Sequence, residues 1–182
     1  PTGYSTTVLA ANGEETATLV GQGANRQYVT IDEIPLDLQH AFVAIEDERF
    51  YDHNGIDLHG IGRAFISGLS KGRFSEGAST ITQQLIKNNV LTSWTSETSF
   101  VEKLQRKIQE QYLALELEKQ VNDKDWILEN YMNSVNLGAN TLGVQAASKK
   151  YFNKDVSELT LSEASVIAGI TQNPSGYNLS HT

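Results

Sequence analysis

Gly77-Ala78-Ser79-Thr80-Ile81-Thr82-Gln83-Gln84-Leu85-Ile86-Lys87 is the stretch on which the fold of this chain turns. Thr80 and Gln83 stand three apart, the spacing of a capping box, so a helix opens at Thr80 and runs towards Asn89. Its start offers free backbone N–H groups, the Ser79 and Thr80 hydroxyls and the positive end of the helix dipole, which together make a ready anion site. Gln83, Gln84 and Lys87 add donors one turn further on. Taken alone, the segment reads first as an ordinary N-cap followed by polar surface residues.

Working outward, the helical period continues on both sides. Ile34, Leu38, Ala41, Phe42 and Ile45 recur at helical spacing, with Pro35 suited to a first turn. The turn formers Asp52-His53-Asn54-Gly55 are where this helix should end. A weakly amphipathic segment follows around Leu58–Leu69, then the basic stretch Ser70-Lys71-Gly72-Arg73. Downstream, a long helix is expected over Phe100–Lys119, with Phe100, Leu104, Ile108, Tyr112 and Leu115 as its apolar seam. Asn122 or Asp123 restarts a helix through Trp126, Ile127 and Met132. The small residues Gly138, Ala139, Gly143, Ala146 and Ala147 mark a tight turn and a closely packed helix. Thr160-Leu161-Ser162-Glu163 is a second capping box, before a helix over Ala164–Ile170 that stops at Asn173-Pro174. Residues 1–29 are rich in Thr, Gly and Ala and alternate over Thr16–Val20, which predicts a short extended segment of one or two strands or a linker. The expected fold class is mainly α.

Composition narrows the functional classes. The 182 residues suit one domain, and with 39 % apolar residues a soluble core is within reach. The absence of cysteine excludes disulfides, a thiolate nucleophile and Cys-ligated zinc. Twenty-two acids against 14 bases give a net charge of −8, which disfavours nucleic acid. The longest unbroken apolar run is Ala41–Ile45, and no signal peptide opens the chain, so it reads as an excised piece whose anchor lies elsewhere.

Two further constellations carry chemistry. In Glu46-Asp47-Glu48-Arg49-Phe50-Tyr51-Asp52-His53-Asn54-Gly55, three consecutive acids fall in the last turn of an apolar helix. There the helix dipole and the neighbouring negative charges both raise a carboxylate pKa, the direction a general base or acid needs. Glu46 follows Ile45 of the apolar stripe and is the acid expected to be partly desolvated; a solvated acidic helix end is the alternative. In the long helix, Lys103, Arg106, Lys107 and Glu110 share one face, opposite Leu104 and Ile108. That face is either a site projecting two cations and a carboxylate together or a surface salt-bridge ladder. His53 and His59 lack zinc spacing. Ser134-Val135-Asn136 is unaccompanied by any Ser-x-x-Lys or Lys-Thr-Gly, which excludes a β-lactam-acylated serine from this stretch.

Taken in order, these segments resemble the peptidoglycan glycosyltransferase domain (glycosyltransferase family 51) of class A penicillin-binding proteins and their monofunctional relatives. Glu46, Asp47, Phe50, His53 and Gly55 meet Glu-Asp-x-x-Phe-x-x-His-x-Gly. Gly77 to Gln84 meet Gly-x-Ser-Thr-Ile-Thr-Gln-Gln, and Arg106, Lys107 and Glu110 meet Arg-Lys-x-x-Glu. Lys124, Ile127, Leu128, Tyr131 and Asn133 form a fourth motif and Ala146–Phe152 the last. Gln145 stands where an acid is usual, and Ser134–Ala139 lacks the usual aromatic-Gly pair. Residues 1–29 show no strong match, so the chain divides into a 1–29 strand or linker segment and a 30–182 glycosyltransferase domain.

The resemblance implies a lysozyme-like helical fold, with head and jaw lobes around a cleft. It implies an enzyme that polymerises lipid II into β-1,4-linked glycan with inversion and release of undecaprenyl pyrophosphate. Glu46 is then the general base and Glu110 the second catalytic carboxylate. Asp47, Phe50, His53, Gly77, Ser79, Thr80, Gln83, Gln84, Lys87, Arg106, Lys107 and Asn133 line or shape the substrate site. No protein metal ligands are assigned; a divalent cation, Mg or Mn, stays open at the pyrophosphate. The implied partners are lipid II, the lipid-linked growing glycan, the membrane surface and a C-terminal transpeptidase domain, at the outer face of the bacterial cytoplasmic membrane. Phe65, Ile66, Leu69 and Phe74, beside Lys71 and Arg73, either dip into that interface or pack within the jaw. A lytic enzyme on the same fold and a non-catalytic glycan- or lipid-binding module are the alternative readings. Lys87, Arg106 and Lys107 concentrate positive charge at the site. Glu14, Glu15, Asp32, Glu33, Glu116, Glu118, Asp123 and Asp125 are expected to carry the acidic excess elsewhere.

Overall fold

The computed structural model describes residues 6–9, 15–19, 26–63, 79–90 and 100–179. Gly77, the apolar and basic residues between Phe65 and Phe74, and the Trp94 loop lie outside the described residues. The chain is mainly helical, as its periodicity predicts. It divides into two compact units, one made of Pro1–Ala41 with Met132–Thr182 and the other of Phe42–Tyr131.

In the first unit, β1 (Thr6–Leu9) and β2 (Glu15–Leu19) pair antiparallel, Thr6 opposite Leu19, with an irregularity between Val8 and Leu9. A 3₁₀ turn, Ile31–Glu33, is closed by a capping box between Thr30 and Glu33 and leads into α1 (Leu36–Glu46). Asn133 joins the two chain segments of this unit, accepting from the Val29 N–H at 2.9 Å and donating to the Val29 carbonyl at 2.8 Å. Gly143 precedes α5 (Val144–Phe152) with φ +83°, and a Cβ there would sit 2.8 Å from the Asn133 carbonyl oxygen, so only glycine fits. Gln145, the departure from the usual acid, is buried and bridges forward to Asp155 (2.9 Å) and the Val156 N–H (2.9 Å). α6 (Leu161–Ile170) starts at the expected Thr160–Glu163 capping box, its Ala164, Ile167, Ala168 and Ile170 buried.

The second unit holds α2 (Ile81–Asn89), α3 (Phe100–Val121) and most of α4 (Lys124–Met132). Residues 58–63 are also helical. Phe42, Phe50, Ile81, Ile127, Leu128 and Tyr131 are fully buried. Among the described residues, no helix is long and apolar enough to cross a membrane.

Two expectations about this unit are corrected. The first helix ends at Glu46, six residues before Asp52, so of the three acids only Glu46 is helical; Asp47 has left the helix and Glu48 lies in a turn. The second concerns α3, whose predicted apolar seam faces solvent: Leu104 is 50 % exposed, Ile108 58 %, Tyr112 62 % and Leu115 43 %. The opposite face is the buried one, with Glu110 at 2 %, Ala114 at 0 % and Glu118 at 6 %. Glu118 is thus no part of a solvated acidic excess. It accepts from the Thr82 hydroxyl at 2.6 Å and from Lys124 Nζ at 2.7 Å, and a buried carboxylate with both a cation and a hydroxyl partner meets the condition for leaving water.

Candidate active site

The first two motifs are stapled together by Asp47. Its buried carboxylate accepts the Ile81 N–H at the start of α2 (2.9 Å) and the Nε2–H of His53 (2.9 and 3.0 Å). An acid at a helix N-terminus satisfies an orphan donor and complements the dipole. His53 Nδ1 in turn accepts the Gly55 N–H at 3.1 Å. With Nδ1 accepting and Nε2 facing Asp47, both imidazole nitrogens are engaged within the protein. Thr80 caps α2 by accepting the Gln83 N–H at 3.1 Å, and its own hydroxyl donates to the Gly55 carbonyl at 2.7 Å. Only half of the expected capping box forms, because the Gln83 side chain turns to Lys107 instead.

The Gly55 of the first motif has a physical reason. Its φ is +89°, and a Cβ would lie 2.7 Å from the Ala114 carbonyl oxygen of α3. Both the left-handed backbone and the close approach exclude any side chain. Phe50 is fully buried, edge-on to His53 at 6.3 Å, with Lys124 Nζ 4.5 Å above its ring. Phe50 therefore acts through packing.

Glu46, the last residue of α1, accepts from Gln84 Nε2 at 2.7 Å. It lines a recess of about 120 Å³ together with Asp47, Arg49, Arg63, Ser79 and Thr80. Arg49 grips Asp57 bidentately, its Nε 3.3 Å from Oδ1. The Arg49 guanidinium holds the Asp57 carboxyl down to about 2, against a partial burial that raises it. Since the folded-state value lies below the unfolded one of about 3.9, the pair stabilises the fold fully above that value. The contribution fades as pH falls through about 2. Asp57→Asn should therefore lower the urea midpoint at neutral pH, with the gap to wild type closing in acid. A gap that stays constant down to that pH would show that the charge of Asp57 contributes nothing.

The third motif lies on the inward face of α3. Lys107 Nζ reaches Ser79 Oγ (2.8 Å), Gln83 Oε1 (3.3 Å) and Glu110 Oε2 (3.1 Å), while Arg106 Nη1 donates to Glu110 Oε1. Ser79, Gln83, Lys107 and Glu110 thus converge at the start of α2, where the sequence suggested an anion site. Lys87 is exposed one turn further along α2. Asn133 belongs to the other unit and binds Val29 there. Among the described residues, no group of three or more His, Cys, Asp or Glu side chains could hold a metal ion. Each oxygen of Glu110 faces a cation of this chain, so a divalent ion at Glu110 would have to displace Arg106 and Lys107.

The transglycosylase family profile matches residues 12–182. The chain belongs to the transglycosylase family. Among curated proteins it is 50 % identical over 159 residues to penicillin-binding protein 1A of Clostridium botulinum, covering 84 % of the chain and 18 % of that protein. Penicillin-binding protein 1F of Bacillus subtilis is 44 % identical over 174 residues, covering 96 % of the chain and 23 % of that protein. Penicillin-binding protein 1A/1B of the same organism is 41 % identical over 178 residues, 97 % of the chain and 18 % of that protein. The transglycosylase domain therefore spans about a fifth of the length of these relatives. It is an enzyme domain, the peptidoglycan glycosyltransferase of class A penicillin-binding proteins that the five motifs led us to expect.

Sequence reasoning missed two parts of this transglycosylase site. Asp57 is named by no motif, and only its spacing of eight residues from Arg49 hints at the pair. Glu118 lay in an apparently solvated charge run, and although Lys124 opens the fourth motif, nothing in its spacing announces Glu118 as its partner.

Proposed function

We propose that this domain polymerises lipid II. The observation that carries the reading is the convergence of the Glu46 carboxylate and the Lys107–Arg106–Glu110 cluster on the first turn of α2, from three separate sequence motifs. The 4-hydroxyl of the GlcNAc of one lipid II attacks the anomeric carbon of the MurNAc at the end of the growing chain. The new C–O bond forms as the bond to the undecaprenyl pyrophosphate oxygen breaks. An α-linked donor yields a β-1,4 product, so one displacement with inversion suffices. Glu46 takes the hydroxyl proton, the place a base holds for water in inverting glycosidases.

Charge accumulates on the departing pyrophosphate. Lys107 and Arg106 neutralise it, with Ser79 and Lys87 beside them, preorganised so that little reorientation accompanies bond cleavage. Lys107 has three N–H donors and three partners at rest, and the phosphate takes the places of Ser79 and Gln83. Glu110 holds the two cations. The implied partners are lipid II, the lipid-linked glycan chain, the outer surface of the cytoplasmic membrane and a transpeptidase domain in the parent protein.

Labelled lipid II incubated with the domain should give β-1,4-linked glycan strands, and purified sacculi should release no muropeptides. Muropeptide release without polymer would replace this reading with a lytic enzyme. Binding of lipid II without either product would replace it with a non-catalytic module.

A further inference from the structure

A polar chain links the proposed base to a buried tyrosine. Tyr131 is completely buried at the end of α4, edge-on to Phe42 at 6.0 Å. Its hydroxyl donates to Gln84 Oε1 at 3.1 Å, and Gln84 Nε2 donates to Glu46 Oε2 at 2.7 Å. The chain runs in one direction only. An ionised carboxylate only accepts, so the amide must turn its NH₂ to Glu46 and its oxygen to Tyr131, and a phenol that keeps its proton is the donor that orientation needs. Burial and the nearby Glu46 and Asp47 charges hold the Tyr131 phenol well above its ordinary value, which keeps it a donor at neutral pH. A glutamine on an exposed helix face flips its amide freely; this one has both ends engaged, which keeps its NH₂ turned to one oxygen of Glu46.

We propose that Tyr131 and Gln84 form a positioning relay for the catalytic base, in which the buried phenol locks the amide that holds one oxygen of Glu46 in place. The proposal rests on the assignment of Glu46 as base. It moves Gln84 from the sugar-pyrophosphate lining to the support of Glu46, and it gives Tyr131 of the fourth motif a role in the reaction beyond core packing.

The test measures initial polymerisation rates against lipid II concentration for wild type, Tyr131→Phe, Gln84→Leu and the double variant, with thermal melts as a folding check. Gln84→Leu should lower kcat roughly tenfold or more, the effect of one lost hydrogen bond to a charged group, with KM little changed. Tyr131→Phe should lower kcat in the same way by a smaller factor. The double variant should be no slower than Gln84→Leu alone, because without the amide the phenol has nothing to lock. A rise in KM at constant kcat in Gln84→Leu would return Gln84 to the substrate lining and overturn the relay. Losses that multiply in the double variant would equally overturn it. Should Tyr131→Phe fail to fold, the kcat–KM split of Gln84→Leu still decides. Glu46→Gln in the same assay separates the two levels: an active Glu46→Gln removes the base assignment itself. An inactive one beside a KM-only Gln84→Leu removes only the relay.

Discussion

Glu46→Gln should abolish polymerisation of labelled lipid II while leaving the fold intact. The substitution keeps the size of the side chain and an oxygen able to accept from Gln84 Nε2, so the 2.7 Å contact survives as a neutral hydrogen bond. What disappears is the basic oxygen. A positioned base contributes about 10²–10⁴-fold. In a displacement whose nucleophile is an un-ionised sugar hydroxyl the upper part of that range is expected, so turnover should fall by roughly 10³ or more. The fold has no reason to follow, because Glu46 sits at the open end of α1 and the staple between the first two motifs runs through Asp47, His53 and Thr80 instead. The decisive pair of measurements is polymer yield and thermal midpoint. A variant with a wild-type midpoint and near-normal turnover would remove Glu46 as base.

Which parts of this site were legible in the sequence follows from the range of the forces involved. The starts of α2 and α6 were read correctly because a cap is a local event: Thr80 to Gln83 and Thr160 to Glu163 are decided within four residues. The end of α1 was misplaced because Asp47 leaves the helix to cap α2, a partner 34 residues away that no local pattern announces. For α3 the period was right and the face was wrong. Amphipathicity states that a helix has two faces; it assigns the apolar one to the core only when the polar face has no buried partners. Here Glu110 meets Arg106 and Lys107, and Glu118 meets Thr82 and Lys124, so the polar face is the one that can be buried. The motif spacing had already named Arg106, Lys107 and Glu110, so chemistry was the better guide to orientation than hydropathy. The net charge of −8 carries no information about this site, for a related reason. It averages over the whole surface, whereas Lys107 and Arg106 are fixed beside one helix start.

Glu110→Gln should lower turnover by about 10²-fold, the loss typical of one preorganised electrostatic group, with only a modest effect on stability. Glu110 is 2 % exposed and sits between two cations, so it has no room to act on a substrate directly without first releasing them. Its charge sets where those cations point. A glutamine offers one neutral oxygen where the carboxylate offered two charged ones, so only one of Arg106 and Lys107 keeps a partner there and the amide NH₂ faces the other. Removing one partner of a buried pair is ordinarily costly. Here both cations keep access to water, since the Arg106 side chain is 24 % exposed and that of Lys107 37 %. The damage should therefore fall on catalysis. If Glu110 works through the cations, Glu110→Gln and Arg106→Ala should both weaken a pyrophosphate-type inhibitor, and combining them should cost less than the product of the two single losses. Losses that multiply in full would show that Glu110 contributes to the reaction independently of Arg106.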